Sequence, residues 1–311
     1  MSPLERFKIK SRKRAIFLAR DLVDLLARVF APGRRDELYL KFMVLWEGRR
    51  WPRTDKPQRF SDYSIKILFE KRDAVLKAFV TDKALAKIYV KGIEPSLKLP
   101  ATYGVLRSRE EIAAFDFPVP CAIKGTHSSG EVVLHRGGSL DRDRIVRMLH
   151  SSHYRSTREP NYRHLDRKVI VEELLIDADG RIPQDYKLFC FFGEPKLIQV
   201  DLDRFGTHAQ AFYSIDWVWL GFCTKLPLHR DEVLPPANLG RLLAVARNLA
   251  QAFRHIRVDC YLIGEEIYLG ELTHLYEGGR TPFVPSTEVD YRLAPLFEDP
   301  DADPMVLLGL R

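Results

Sequence analysis

The stretch IRVDCYLIGEEIYLGELTHL, residues 256–275, constrains the fold more than any other part of the chain. Polar and apolar residues alternate on both sides of Gly264, the pattern of two antiparallel strands with one face in a core. With a hairpin loop spanning Gly264 to Glu266, Asp259 falls opposite Glu271 and Arg257 opposite Thr273, all four on one face. Val258, Cys260, Leu262, Gly270 and Leu272 take the other face, which suits a core. Two carboxylates directly opposed in a sheet repel, and a cation between them relieves the repulsion. A hard divalent ion meets that need, because magnesium takes one or two carboxylates and completes its shell with phosphate oxygens and water. A two-residue loop would instead shift the register by one and separate the pair, leaving a solvated face with Arg257 neutralising Asp259.

Upstream, CAIKGTHSSGEVVLH sets Lys124 at the end of a buried strand, followed by a Gly/Ser/Thr loop from Gly125 to Gly130 and a second strand. Small residues let backbone N–H groups approach phosphate oxygens, and the lysine supplies charge. This is not a Walker A loop, because the lysine precedes the glycines and a strand, not a helix, follows. KVIVEELLI ends on Glu172 and Glu173, one of which must point inwards if the strand is covered on both faces. A buried acid needs a donor: an adenine amino group, ribose hydroxyls, or a protein partner such as Lys187 in QDYKLF. The chain has no G-x-G-x-x-G, H-E-x-x-H or G-x-S-x-G motif and no kinase-type catalytic loop, and its nine histidines show no metal-ligand spacing. Asp201 and Asp203 form a D-x-D, but Arg204 follows directly and nothing else suggests a nucleotide-sugar site.

Periodicity divides the chain in two. Residues 15–30 carry Ile16, Ala19, Val23, Leu26 and Phe30 on one helical stripe, APGRRDE breaks the pattern, and YLKFMVLWEG, DYSIKILFEK and TDKALAKIYVKG read as further helices. Beyond Pro118 the runs VPCAIK, EVVLHR, KVIVEELLI, DYKLFCFF and PKLIQVDL are strand-like, with helices at LDRDRIVRMLHSSHY and NLGRLLAVARNLAQAF. The fold class is α+β with largely antiparallel strands. Residues 276–311 read as loop and loosely structured tail, and Cys121, Cys190, Cys223 and Cys260, without C-x-x-C spacing, read as buried thiols. Residues 1–60 hold 16 Lys/Arg against 7 Asp/Glu, whereas the whole chain is only +7. Such a segment suits a polyanion or a peripheral contact with an anionic membrane. Nucleic acid is not expected, because the basic residues lack interleaved aromatics. No run reaches the roughly 18 apolar residues of a spanning helix and the first residues lead into no signal pattern, so a cytoplasmic protein is expected, with the inner membrane face as its place if the basic segment docks.

In this order, KPQRFSDYSIK, TDKALAKIYV, AIKGTHSSG, VEELL, QDYKLFCFFGEP, VDLDRFG, RVDCY and GELTHLYEGG resemble the ATP-grasp superfamily, specifically its teichuronopeptide-biosynthesis (TupA-like) branch, from about Tyr39 to about Asp290. The resemblance implies two α+β lobes clasping a nucleotide behind a mainly helical N-terminal region. The corresponding divisions are a basic segment at 1–60, a helical region at 61–118, one lobe at 119–175, the second at 176–275, and a tail at 276–311. It further implies that Lys83 and Lys124 contact the α/β-phosphates while Thr126, His127, Ser128, Ser129 and Gly130 close over the triphosphate. Glu172, Glu173, Leu174 and Leu175 would hold adenine and ribose, with Lys187 approaching from the facing strand. Asp259 and Glu271 would bind Mg2+, with Thr273 where many relatives place an asparagine ligand. Arg257 and Lys124 would serve catalysis, Arg257 over the acyl centre. Arg204 and Arg280 are candidate substrate contacts. Lys87 stands where an arginine is expected, and His274 where an aromatic is. The activity implied is ATP-dependent joining of a carboxylate and an amine through an acyl phosphate, the carboxylate or the amine borne on an anionic surface polymer. An ATP-grasp kinase, or a basic binding module without catalysis, are the alternatives.

Overall fold

The structure, a computed structural model, describes residues 32–48, 50–202, 208–224 and 226–311, with Leu25 besides. The helical stripe expected over 15–30, Leu25 aside, and the candidates Asp203 and Arg204 lie outside the described residues. Helix α1 spans Pro32–Gly48. The APGRRDE stretch expected to break the helix therefore starts it, because proline in a first helical turn loses no hydrogen bond that the turn would have made. Helices α2 (Phe60–Phe69), α3 (Ala74–Thr81) and α4 (Lys83–Ile93) follow, and Asp82 caps α4 by accepting from Ala84 N and Leu85 N.

Two antiparallel sheets form the body. The first has the order β1–β4–β2–β3, with β1 at Thr102–Leu106, β2 at Cys121–Gly125, β3 at Val132–His135 and β4 at Val169–Glu173. It thus includes β1, which precedes the expected lobe boundary at residue 119. Helices α5 (Arg109–Ala114) and α6 (Arg142–His150) cover one face, burying Ile112, Ile145 and Leu149 against Cys121, Ile123, Val169 and Val171. A short helix, α7 (His153–Thr157), follows α6. The second sheet has the order β7–β6–β5–β8–β9, with β5 at Asp185–Phe191, β6 at Glu194–Leu202, β7 at Ala209–Ser214, β8 at His255–Ile263 and β9 at Glu266–Thr273. Helix α8 (Leu239–Ala250) lays Leu242, Val245, Ala246 and Leu249 on Leu188, Cys190, Ile198, Val258 and Cys260. All four cysteines are buried and free.

The opposite face of the second sheet is divided. One end, Phe189, Phe191, Leu197 and Phe212, is sealed by Phe60 and Tyr63 of α2 and by Phe283, Leu293, Leu296, Phe297 and Met305. Residues 276–311 are therefore no loose tail. They carry α9 (Glu288–Arg292) and α10 (Pro304–Leu307), close this core, and are tied to α2 where Ser61 Oγ donates to Asp290 Oδ2 at 2.9 Å. Single apolar residues spaced among prolines and acids show no periodicity, yet Phe283, Leu293, Leu296, Phe297 and Met305 are buried in one core with the aromatic residues of α2 and the second sheet. The other end of the face is polar. No helix among the described residues is long and apolar enough to cross a membrane.

Candidate functional site

The polar end is built on the β8–β9 hairpin. Asp259 faces Glu271 and Arg257 faces Thr273, as expected, but by a different route. Ile263 pairs with Glu266, so the turn has two residues, Gly264 and Glu265, and Gly264 supplies the positive φ of 58°. That turn alone would oppose Asp259 to Gly270. The register shifts between Asp259 and Cys260, where Gly270 is the extra residue of a β-bulge, and Glu271 arrives opposite Asp259. Glycine suits the bulge: a Cβ at 270 would lie 3.0 Å from the Asp259 carbonyl oxygen and 3.2 Å from the Tyr261 ring. The core face of β9 is consequently Ile267, Leu269 and Leu272, and not Gly270.

Arg257 links the four residues. Its Nε and Nη2 donate to the two carboxylate oxygens of Asp259 at 2.6 Å each, and Nη2 also reaches Thr273 Oγ1 at 3.2 Å and Glu271 Oε1 at 3.4 Å. Thr273 Oγ1 in turn donates to Glu271 Oε1 at 2.9 Å, so the hydroxyl orients the carboxylate. Burial raises the Asp259 carboxyl above the usual range, with Arg257 and Lys187 opposing and Glu271 reinforcing. Burial also acts to raise Glu271, but Lys83, Arg257 and Lys187 outweigh it and hold that group at about 2. Next on the sheet, Lys187 of β5 stands opposite Asp259 and is ringed by carboxylates: Asp185 in direct contact, Asp201 Oδ2 at 3.3 Å and Asp259 Oδ2 at 3.8 Å. Asp201, the first member of the D-x-D, is thus committed to Lys187, Gln199 and Gln210.

The first sheet and α4 supply the facing wall. Glu172 is the inward acid, 3% exposed, and its partners are Lys87 Nζ at 2.5 Å and Lys124 Nζ at 2.9 Å, not Lys187. Burial acts to raise Glu172, but the two lysines win and lower it. Glu173 points elsewhere, its Oε2 accepting from Ala101 N at 3.0 Å, and Leu174 and Leu175 are buried behind it. Lys83 donates to the Ser128 carbonyl; burial lowers its pKa while Glu271 and Glu172, one from each sheet, pull it back up. Lys83 and Lys124 are therefore both under the influence of acids from the two walls, Glu172 and Glu271. Lys87, read from the sequence only as a departure from an expected arginine, is part of the wall.

The Gly125–Gly130 loop is only partly open. Thr126 Oγ1 donates to Asp82 Oδ2 at 3.1 Å, and His127 lies between Ser151 O at 3.1 Å and Lys168 N at 3.3 Å. Both side chains are buried and brace the loop from within. Asp82 is itself fixed by Lys168 at 2.8 Å. Ser128 Oγ is buried without a partner among the described residues, a Cβ on Gly125 would run into it, and Ser129 and Gly130 are exposed, Gly130 at φ 86°. Tyr162, which the sequence did not single out, is raised well above its ordinary pKa by burial and by Glu159 and Glu271. Arg280 pairs with Glu47 of α1 at 3.1 Å and joins none of these clusters.

The donor set suits Mg2+. Asp259 and Glu271 present oxygen donors only, on rigid facing strands, and no group of three or more His, Cys, Asp or Glu among the described residues could hold a metal by itself. Two carboxylates, with phosphate oxygens and water to complete the shell, are what magnesium uses in nucleotide sites. Each Asp259 oxygen keeps a further lone pair beyond the Arg257 bond.

The family model described as TupA-like ATPgrasp matches residues 64–297. No curated protein matches. Among solved structures, the chain is similar to a D-alanine–D-alanine ligase from Bacillus anthracis complexed with ATP, at 15% identity over 63% of this chain and 54% of that one, with a TM-score of 0.36. It is similar to the ATP-grasp ligase PsnB complexed with a phosphomimetic variant of its minimal precursor, Mg and ADP, at 12% identity over 79% and 66%, TM-score 0.42. It is also similar to the VanG D-Ala:D-Ser ligase from Enterococcus faecalis, at 14% identity over 80% and 62%, TM-score 0.40. The chain thus spans between about half and two thirds of these proteins' lengths.

Proposed function

This chain belongs to the TupA-like ATP-grasp family, and from that premise we propose that it is an ATP-dependent carboxylate–amine ligase working through an acyl phosphate. The observation that carries the reading is the opposition of Asp259 to Glu271 beneath Lys83, across from a wall holding Lys124 and Lys87. Magnesium, when bound, would screen the polyphosphate and polarise the γ-phosphoryl group. Asp259 and Glu271 would hold it, and Thr273 would keep Glu271 turned towards it. Lys83, Lys124 and Lys187 would offset the repulsion between an incoming carboxylate and the triphosphate. Ser129, Gly130 and the unpartnered Ser128 hydroxyl would meet the phosphates, with Thr126 and His127 supporting them from behind. Glu172, with the neighbouring backbone of Glu173, Leu174 and Leu175, would meet adenine and ribose at the end of β4. Arg257 would stabilise negative charge at the acyl centre. No protein nucleophile is required, since positioning and charge neutralisation account for this chemistry. A carboxylate or an amine carried on an anionic surface polymer would suit the basic residues of 1–60.

The test is ATP turnover with Mg2+ across a panel of carboxylates, each with and without an amine. The reading requires ADP and phosphate in equal amounts only when both partners are present. AMP and pyrophosphate, or a stable phosphorylated hydroxyl, would replace the ligase with a different ATP-grasp activity.

A further inference from the structure

Two lysines contact Glu172, and they are held in different ways. Cys121, Ile123, Val169 and Val171 turn to α5 and α6, so Lys124 and Glu172, on the alternate positions of β2 and β4, share the opposite face. Helix α4 brings Lys87 to the same carboxylate, one turn after Lys83. Lys87 Nζ meets Glu172 Oε1 at 2.5 Å, the Pro100 carbonyl at 2.7 Å and Thr102 Oγ1 at 2.7 Å. Those are three acceptors for the three N–H donors of an ammonium group, so Lys87 has none left for a ligand. Thr102 lies opposite Glu172 in the β1–β4 register, and the lysine therefore ties α4, the start of β1 and β4 together. Lys124 is held less firmly. Among the described residues its one ion-pair partner is Glu172, whose Oε2 lies at 2.9 Å, and its side chain is 26% exposed against 16% for Lys87.

A polyphosphate that drew Lys124 away from a lone partner would strand a carboxylate that is 3% exposed, and an uncompensated buried charge is strongly destabilising. Lys87 removes that obstacle, because its bonds to Pro100 and Thr102 keep it beside Glu172 whether or not Lys124 stays. We propose that Lys87 is a positioning residue: it serves as the standing counter-ion of Glu172 and thereby releases Lys124 to bind phosphate oxygens. The inference rests on the nucleotide site of the ligase reading and adds how the phosphate-binding lysine of that site becomes available. Burial acts to raise Glu172 and each lysine lowers it, so the lysine that remains keeps the carboxylate ionised. The charge of Glu271 reaches Lys124 from the facing sheet, which directs the released lysine towards the Asp259–Glu271 pair. Lys87 acts through Glu172 and touches no phosphate itself.

A crystal of the full chain grown with Mg·ADP is expected to show Lys87 still on Glu172, the Pro100 carbonyl and Thr102 Oγ1, and Lys124 turned from Glu172 to a phosphate oxygen. Calorimetry supplies a second readout. Lys87→Met leaves Lys124 as the last cation on Glu172 and should weaken Mg·ADP binding at least about tenfold, the scale of one charge-assisted hydrogen bond. In a Glu172→Gln background the carboxylate is gone and Lys124 is free, so the same substitution should cost no more than about threefold. A role for Lys87 confined to holding β1 would cost the same in both backgrounds. If Lys87→Met does not fold, Lys87→Gln, which keeps an N–H donor for the Pro100 carbonyl and removes the charge, takes its place. Bound Mg·ADP with Lys124 still on Glu172, or with Lys87 drawn to the phosphates, overturns the positioning role and leaves the ligase reading standing, as does an equal cost in both backgrounds. Failure of the wild-type chain to bind Mg·ADP overturns the ligase reading and the positioning role with it.

Discussion

Glu271 stays anionic although partly withdrawn from water, because Arg257 contacts it at 3.4 Å and the charges of Lys83 and Lys187 favour its ionised form. Glu172 does the same on the facing wall with two lysines, and there the energetic consequence can be measured. Glu172→Leu leaves Lys87 and Lys124 facing an apolar group. Removing one partner of a buried ion pair costs about 3–5 kcal/mol, and these lysines retain some exposure, so a loss of about 2 kcal/mol is expected in denaturant unfolding. Adding Lys124→Met should recover part of it, and a fully additive loss would show that the charges are not coupled. His255 gives a pH test. Its ring is buried, donating from Nδ1 to Cys190 O at 3.0 Å, and burial drops its pKa to about 3. Below the unfolded value of about 6.5 the unfolded chain takes up a proton that the folded chain refuses. Stability from this residue is therefore present above about pH 6.5 and lost as pH falls towards 3, at up to about 1.4 kcal/mol per pH unit. His255→Gln should flatten the pH dependence of unfolding between pH 6.5 and 4.5 by that slope, and an unchanged slope would contradict the assignment.

The β8–β9 hairpin carries its information in the interruption of its pattern. The alternation of 256–275 was enough to identify two strands and to oppose Asp259 to Glu271. The bulge was also legible, in the spacing of Ile267, Leu269 and Leu272, which breaks period two at Gly270. A three-residue turn without a bulge gives the same pairing, so alternation alone does not separate the two. Gly270→Val should force the bulge open against the Asp259 carbonyl, costing about 1–3 kcal/mol of stability. Affinity for Mg·ADP, read by calorimetry, should fall at least about tenfold; unchanged affinity would mean that the bulge does not place the carboxylates. Strands β1 and β7 were not legible. TYGVL buries only Leu106 fully and AQAFYS is buried nearly throughout, so neither shows a two-residue period. Gln199 lies between Ile198 and Val200 and Gln210 between Ala209 and Ala211, and only the pairing of β5, β6 and β7 shows that their side chains share a face with Lys187 and Asp201.

Across the whole molecule, the N-terminal helices and the C-terminal segment form one structural unit with the second sheet. Phe60 packs edge-on against Phe189, Phe191, His255, Phe283 and Phe297, joining α2, β5, β8 and the segment after β9. The motif KPQRFSDYSIK thus has a structural role in this chain, anchoring the polar face from its apolar end. Phe60→Ala should cost about 3–5 kcal/mol. The loss should appear as one cooperative unfolding transition reported both by tryptophan fluorescence and by proteolysis of 276–311. A tail that is cleaved first, with the rest intact, would contradict the shared core. No local pattern revealed this arrangement, because its contacts join residues more than 200 positions apart, such as Ser61 and Asp290. On the function proposed here, the two sheets face each other across a magnesium-nucleotide site closed by Asp259 and Glu271. Calorimetric titration of ADP with and without Mg2+, on the wild type and on Glu271→Gln, tests it most directly. Magnesium should strengthen ADP binding to the wild type at least about tenfold, and that gain should vanish in Glu271→Gln while magnesium-free binding persists; an equal magnesium effect in both proteins would contradict it.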